Sequence, residues 1–236
     1  MVSFPCLVLF PYLCGCNAYE MILPTFTPEQ IVAECKADLV DFFRYVDHKK
    51  VQLRKAALRA ARFPVTLHGW HDTPRRNRWL YILQAMSKKD YDDTSVLTMV
   101  LTYRDERGRI WAVMPSYLSN GMLLTFYTPH FFARLAERLR LSETGYDLIY
   151  RYFRNNPNAS YHYRDVPVDD EHYMRQVTAT TQDGVSLGLV TTAGYLMKTF
   201  ISYEMAKGDQ IQRFADSEVL RKEREEAFAA ENFRRR

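Results

Sequence analysis

The sequence predicts an α+β fold: a mainly antiparallel sheet of about six to eight strands, with an N-terminal helix, two helices inserted midway and a C-terminal helix. Two patterns predict it. Apolar residues recur at helical spacing between residues 27 and 62, whereas short runs rich in β-branched and aromatic residues fill residues 65–127 and 173–202. Of the 236 residues, 47% are hydrophobic and 14% are aromatic, which is enough for a sizeable folded core.

The first helix is predicted to begin at Thr27, an N-cap residue that is followed by proline in the first helical turn. Its apolar side is expected to be buried and consists of Ile31, Cys35, Leu39, Phe42, Val46, Leu53, Ala57 and Ala60. Lys49 and Lys50 interrupt this side, so we expect a break into two helices near Asp47.

Strands are predicted at residues 65–69, 78–86, 96–103, 109–115 and 122–127, with a meander as the simplest topology. The residues between the third and fourth strands, Asp105-Glu106-Arg107-Gly108, are typical of a hairpin turn. Residues 173–202 contain further strand-like runs, which are separated by turns at Gln182-Asp183-Gly184 and at Ala193-Gly194. The order of the strands in the sheet is not predicted.

The segment from Thr125 to Leu141 separates the two strand-rich halves of the chain. It is predicted to be a strand that stops at Pro129 and a helix that begins there. The apolar side of this helix is expected to pack on the sheet and consists of Phe131, Phe132, Leu135, Ala136 and Leu139. A second helix is predicted at residues 146–154, and a polar helix follows from about Asp209.

The chain divides into an apolar segment at residues 1–20, a single α+β domain at residues 21–208 and a charged helix or tail at residues 209–236. Residues 1–19 carry no charged side chain, and two interpretations are open: an over-called start upstream of Met21, or an export or lipid-anchor signal. Cys35 is the one cysteine outside this segment, so no intrachain disulfide is expected in the body. We expect a cytoplasmic protein, with an exported or lipid-anchored protein as the alternative.

Basic residues are unevenly placed, although the net charge of +4 is too small by itself to indicate a nucleic-acid partner. Arg44, Lys55, Arg59 and Arg62 fall opposite the apolar side of the first helix, and Arg75, Arg76 and Arg78 form a cationic turn near Trp70, Trp79 and Tyr81. Both sets are candidate contacts to RNA or DNA, because cationic side chains bind phosphates and aromatic rings stack on unpaired bases. A solvated helix face and rings buried in the core are the alternative.

Metal and cofactor motifs are not evident in the sequence. His68 and His71 lie three residues apart beside Asp72, but no further cluster of cysteine or histidine has the spacing of a metal site. Neither a phosphate-binding loop nor a dinucleotide fingerprint is present. We therefore predict no metal and no small-molecule cofactor, and the oligomeric state is left open.

His130, Arg134 and Arg138 are spaced four residues apart, so they share one side of the predicted helix over about 12 Å. Histidine can transfer a proton near neutral pH, and arginine binds phosphate through two N–H groups. This combination suits metal-independent cleavage of RNA by its own 2′-hydroxyl. The alternative is that His130 caps or packs near the helix start and that the arginines are solvated or pair with Glu137 or Glu143.

The His-x3-Arg-x3-Arg helix, followed by strands that end in Lys198-Thr199-Phe200-Ile201, resembles small RelE-type toxin domains of the barnase/EndoU/colicin/RelE ribonuclease class. The resemblance covers about residues 125–202. It implies His130 as acid or base, Arg134 and Arg138 as phosphate binders, and Thr199 or a nearby tyrosine as a supporting group. Three functions remain open: an RNA-cleaving toxin-like domain, a non-catalytic nucleic-acid-binding or protein-interaction module, and an exported or lipid-anchored surface protein.

Overall fold

The computed structural model describes residues 22–90, 95–118, 121–169 and 172–206, together with residues 212, 214–216, 218–220, 222–223 and 226. The predictions for residues 1–20 lie outside the described residues. Within the described chain the α+β class is confirmed. Its long helices are α1 (Pro28–Arg59), α2 (Pro129–Leu139) and α3 (Gly145–Asn155), and the described residues between 212 and 226 are also helical.

The strands form one sheet. They are β1 (Val65–Asp72), β2 (Arg78–Ala85), β3 (Val96–Arg104), β4 (Ile110–Leu118), β5 (Gly121–Tyr127), β6 (Ser160–Pro167), β7 (Tyr173–Thr180), β8 (Val185–Thr191) and β9 (Gly194–Ile201). Their order across the sheet is β1-β2-β3-β4-β5-β9-β8-β7-β6. The first five strands form the predicted meander, and the parallel pairing of β5 with β9 joins it to the C-terminal strands, which pair antiparallel with one another.

The expectation of six to eight strands was wrong, because the sheet of the described chain has nine. The sheet is mainly antiparallel, as expected, and is mixed through the parallel pairing of β5 with β9. The additional strand is β6, which lies at one edge of the sheet and pairs with β7 alone. Most of its side chains are partly or fully exposed. An edge strand with little buried surface lacks the strong apolar alternation by which strands are recognised in a sequence.

Helix α1 begins as predicted, with Thr27 and Gln30 forming a reciprocal capping box and Pro28 in the first turn. Its buried side chains include every predicted apolar residue from Ile31 to Ala57. The expected break near Asp47 was wrong. The Lys50 ammonium lies 3.1 Å from the Asp47 carboxylate, and the Lys49 ammonium lies 5.0 Å from the centre of the Tyr45 ring. Both lysines therefore extend their charges away from the core, and the helix continues past them.

Two cores lie on opposite faces of the sheet, and β2 contributes to both. Trp79, Tyr81 and Leu83 pack beneath α1, in what we call the α1 core. Leu80 and Ile82 point the other way and pack with α2 and α3, in what we call the α2–α3 core. Since successive side chains of a strand alternate between faces, a strand covered on both sides must be apolar at nearly every position, and β2 is.

The sheet curves around α2 and α3. On α3, Tyr150 stacks on His68 of β1, while the Tyr152 hydroxyl lies 3.1 Å from the Ser186 hydroxyl of β8. Strands β1 and β8 are six steps apart in the sheet, about 29 Å at ~4.8 Å per step, whereas a helix with its side chains is only about 10–12 Å wide. One short helix can contact both strands because the sheet folds round it.

Candidate nucleic-acid interface

The outer face of α1 carries basic residues that the sequence predicts to bind phosphate. Arg44, Lys55 and Arg59 are exposed along the helix, and Arg62 is exposed just beyond its end. Within the described part of the chain, none of these four side chains makes an ion pair or a hydrogen bond. From Arg44 to Arg59 the helix extends about 22 Å at ~1.5 Å per residue. The four cations therefore form a basic stripe whose charge no described carboxylate neutralises.

A buried hydrogen-bond network fixes the face that α1 presents to solvent. Asp38, on the inner side of the helix, accepts hydrogen bonds from Thr73 Oγ1 at 2.9 Å, Asn77 Nδ2 at 2.7 Å and Trp79 Nε1 at 2.9 Å. All four residues are buried. Because these donors come from the β1–β2 connection and the start of β2, the network sets the rotation of α1 about its axis. The basic stripe is turned outward as a consequence.

In the cationic turn, unlike the basic stripe, Arg75 and Arg78 are paired with carboxylates. Arg75 donates to both carboxylate oxygens of Glu34, at 2.9 and 2.6 Å, and Arg78 donates to both oxygens of Asp72, at 2.7 and 2.9 Å. These hydrogen bonds hold the pKa of Glu34 and the pKa of Asp72 below their usual range. Arg76 is exposed in a left-handed conformation with φ of 65°. Arg75 and Arg78 thus already bind carboxylates of the same chain.

The aromatic residues near this turn divide between the two faces of the sheet. Trp79 and Tyr81 are buried in the α1 core, which confirms the structural interpretation of these rings. Burial raises the pKa of Tyr81 to about 12. Trp70 lies on the other face, where its ring meets that of Tyr146 edge-on at 4.8 Å. No ring from the turn therefore lies beside the basic stripe as an exposed stacking surface.

A cluster that the sequence did not predict forms around Tyr146. The guanidinium groups of Arg78 and Arg104 lie 5.3 and 5.6 Å from the centre of its ring, and Trp70 packs against its edge. Four elements contribute: the end of β1, the start of β2, the end of β3 and the start of α3. Strand pairing brings the first three together, and the packing of α3 on the sheet adds Tyr146. No local sequence pattern predicts this cluster.

Helix α2 presents His130, Arg134 and Arg138 along one side, opposite the buried Phe131, Phe132 and Leu135. His130 is exposed. Arg134 Nη1 lies 2.6 Å from Glu137 Oε2, one of the two partners anticipated for these arginines. Arg138 is half-buried, and its Nη1 atom has no hydrogen-bond partner among the described residues.

Thr199 precedes Phe200, whose ring packs against Phe131 of α2 in the α2–α3 core. The pairing of β8 with β9 shifts register at this point, so regular strand alternation does not assign Thr199 to a face. Helix α2 groups His130, Arg134 and Arg138, and within the described chain Thr199 makes no hydrogen bond to any of them.

The two histidines of β1 also point to opposite faces. His71 Nε2 lies 2.8 Å from Asp41 Oδ2 of α1, whereas His68 Nδ1 lies 3.0 Å from the Tyr150 hydroxyl of α3. Burial, and next the nearby charge of Arg154, lowers the pKa of His68. In the described ranges, no three side chains of histidine, cysteine, aspartate or glutamate are grouped so that they can hold a metal ion.

Comparison with protein-family models, with curated protein sequences and with solved structures found no match to this chain. No helix in the described portion combines the length and the apolar character needed to cross a membrane. The physical properties of the surfaces described above therefore carry the functional argument.

Proposed function

We propose that this protein binds nucleic acid through the basic stripe on α1, contacting the phosphate backbone. The observation that carries the proposal is the contrast between two sets of arginines and lysines. Arg75 and Arg78 are engaged by Glu34 and Asp72, while the stripe residues have no carboxylate partner within the described chain. A lysine or arginine that binds a phosphate displaces counter-ions condensed on the nucleic acid, and their release favours binding.

The stripe favours contacts that do not depend on base sequence. The large hydrophobic side chains exposed on this side of α1 are aliphatic, namely Val40, Val51 and Leu58. Aliphatic side chains offer bases neither hydrogen bonds nor stacking surfaces, whereas lysine and arginine recognise phosphates on any sequence. We therefore infer that RNA and DNA of different sequence bind with similar affinity and that affinity falls steeply as salt is added.

Reversing three stripe charges together, with Lys55→Glu, Arg59→Glu and Arg62→Glu, should abolish most of this binding. Each lost phosphate contact removes about 0.7–0.9 from the slope of log affinity against log salt, so the triple variant should lose about two units of slope. Fluorescence anisotropy of a labelled oligonucleotide across a salt series measures both the affinity and the slope.

A matched control reverses three exposed cations that belong to the β2–β3 and β3–β4 connections, with Lys88→Glu, Lys89→Glu and Arg107→Glu. It changes the net charge by the same amount, so it separates the local stripe from the overall charge. This control should retain most of the affinity. Equal losses in both triple variants, or no binding by the wild-type chain at low salt, would contradict the proposal.

RNA cleavage at α2 is a second candidate, favoured by the exposed His130 imidazole and by the position of Arg134 and Arg138 along the same helix at four-residue spacing. Expression of the chain should then arrest growth of the host and degrade RNA, and His130→Ala should abolish both effects because the proton-transferring group is lost. His48→Ala is the matched control, since His48 is an exposed histidine on α1. Intact RNA during expression of the wild-type chain would rule out this candidate.

A further inference from the structure

A second feature of the outer face of α1 is a run of exposed positions at heptad spacing. The run consists of Ala33, Ala37, Val40, Arg44, Asp47, Val51, Arg54 and Leu58, which are separated alternately by four and three residues. Every one of these side chains is exposed. This spacing is the one that lets a helix pack lengthwise on another helix. We call these eight residues the α1 seam.

The seam exposes more aliphatic surface than a solvated helix face requires. Val40, Val51 and Leu58 are 70%, 54% and 53% exposed, and Ala33 and Ala37 continue the same line towards the start of the helix. Exposed aliphatic residues that recur at this spacing along one side of a helix suit a partner helix that covers them. The distribution of charge within the seam decides which partner fits.

The seam is complementary to itself in the antiparallel direction. A two-fold axis crossing α1 between Tyr45 and Val46 places Val40 opposite Val51 of a second copy, and Ala33 opposite its Leu58. The same axis places Arg44 opposite Asp47 of the second copy, and it does so twice because each contact is repeated by symmetry. Apolar residues meet apolar residues at two levels, opposite charges meet at the centre, and Ala37 lies opposite Arg54 of the second copy, whose aliphatic stem can pack on it.

The geometry points to a second copy of this chain as the partner of α1, forming a two-fold symmetric antiparallel helix pair. Asp47, which lies 3.1 Å from Lys50 of its own helix, keeps exposed carboxylate surface for the Arg44 of the second copy. A straight helix drifts by about 20° per heptad from a strict repeat, so the closest contacts fall at the centre, from Val40 to Val51. This inference does not rest on nucleic-acid binding: in the dimer Arg44 pairs with Asp47 of the second copy, and Lys55, Arg59 and Arg62, which are not seam residues, are left for phosphate.

Charge reversal at the centre of the seam tests the pairing. Arg44→Asp places like charges opposite each other at both symmetric contacts, and Asp47→Arg does the same with the opposite sign. Each single variant should weaken the dimer by at least about ten-fold, because like charges at an interface are strongly unfavourable. A mixture of the two variants should dimerise again, since each then supplies the charge that the other needs.

Analytical ultracentrifugation of the full chain and of both variants measures these equilibria, and circular dichroism checks that each variant is folded. A wild-type chain that stays monomeric up to about 100 µM would overturn the inference. Dimers that survive both single reversals would place the interface elsewhere and overturn it as well. Monomers in the mixture of variants, when the wild type is dimeric, would contradict the antiparallel pairing.

Discussion

Replacing Asp38 with alanine should lower the free energy of unfolding by on the order of 4 kcal/mol, because it leaves several buried donors without an acceptor at about 1–3 kcal/mol each. The Asp38 carboxylate is buried, and its acceptor role is shared between Oδ1, which faces Thr73, and Oδ2, which faces Asn77 and Trp79. The same change also releases α1 from the β1–β2 connection. Urea denaturation followed by far-ultraviolet circular dichroism measures the loss.

Asp38→Asn tests whether hydrogen-bond geometry explains the effect. The asparagine oxygen can still accept from Asn77 and Trp79, and its amide can donate to the Thr73 hydroxyl, which can accept as well as donate. This variant should therefore be clearly more stable than Asp38→Ala. Asp165→Ala removes an exposed carboxylate and should change stability by less than about 0.5 kcal/mol. A similar small change for Asp38→Ala would contradict a stabilising role of the network.

The buried side of α1 could be predicted nearly residue by residue from the sequence. Its apolar residues recur with the period of a helix, and burial of that face is a local consequence of the pattern. The partners of α1 could not be predicted. Glu34 pairs with Arg75 and Asp38 with Asn77, across 41 and 39 residues of chain, and no spacing rule connects them.

In the sheet, too, the pairing of consecutive strands could be predicted, whereas the pairing of strands distant in sequence could not. Strands β1 to β5 are consecutive in the chain and each pairs with the next, so the turn residues between them were enough to predict the meander. The parallel pairing of β5 with β9 joins Thr125 to Tyr195, which are 70 residues apart. Parallel strands are joined by a long crossover, and the alternation of residues within one strand does not show which distant strand pairs with it.

The sequence identified the basic residues of the candidate site, but it did not show which of them pair with carboxylates. Exposure of Arg44, Lys55 and Arg59 follows from their position opposite the apolar side of α1, whereas Arg62 lies beyond the end of this helix, which the sequence had predicted to continue to about residue 62. The charge of Arg75 is neutralised by Glu34 of α1, and the charge of Arg78 is neutralised by Asp72 across the β1–β2 turn. Both contacts form only in the folded chain. This difference decides which cations are available to a phosphate.

Gly194→Ala should have the other large effect, because Gly194 lies where the two halves of the sheet meet. It is the first β9 residue paired with β5, opposite Leu124, and its φ is +137°. A Cβ atom added there would lie 2.0 Å from the Leu124 carbonyl oxygen, so the two strands would have to separate. We expect a loss of at least about 4 kcal/mol, combining backbone strain of about 1–3 kcal/mol with the broken pairing.

Gly121→Ala is the control that separates strain from collision. Gly121 begins β5 with a φ of +132°, close to that of Gly194, but a Cβ atom added there meets nothing within 4 Å. It should therefore cost only the strain, about 1–3 kcal/mol. Thermal and urea unfolding of both variants would measure the difference, which reports the contact between β5 and β9. Equal destabilisation would mean that the strands separate at little cost, and the parallel junction would then contribute little to stability.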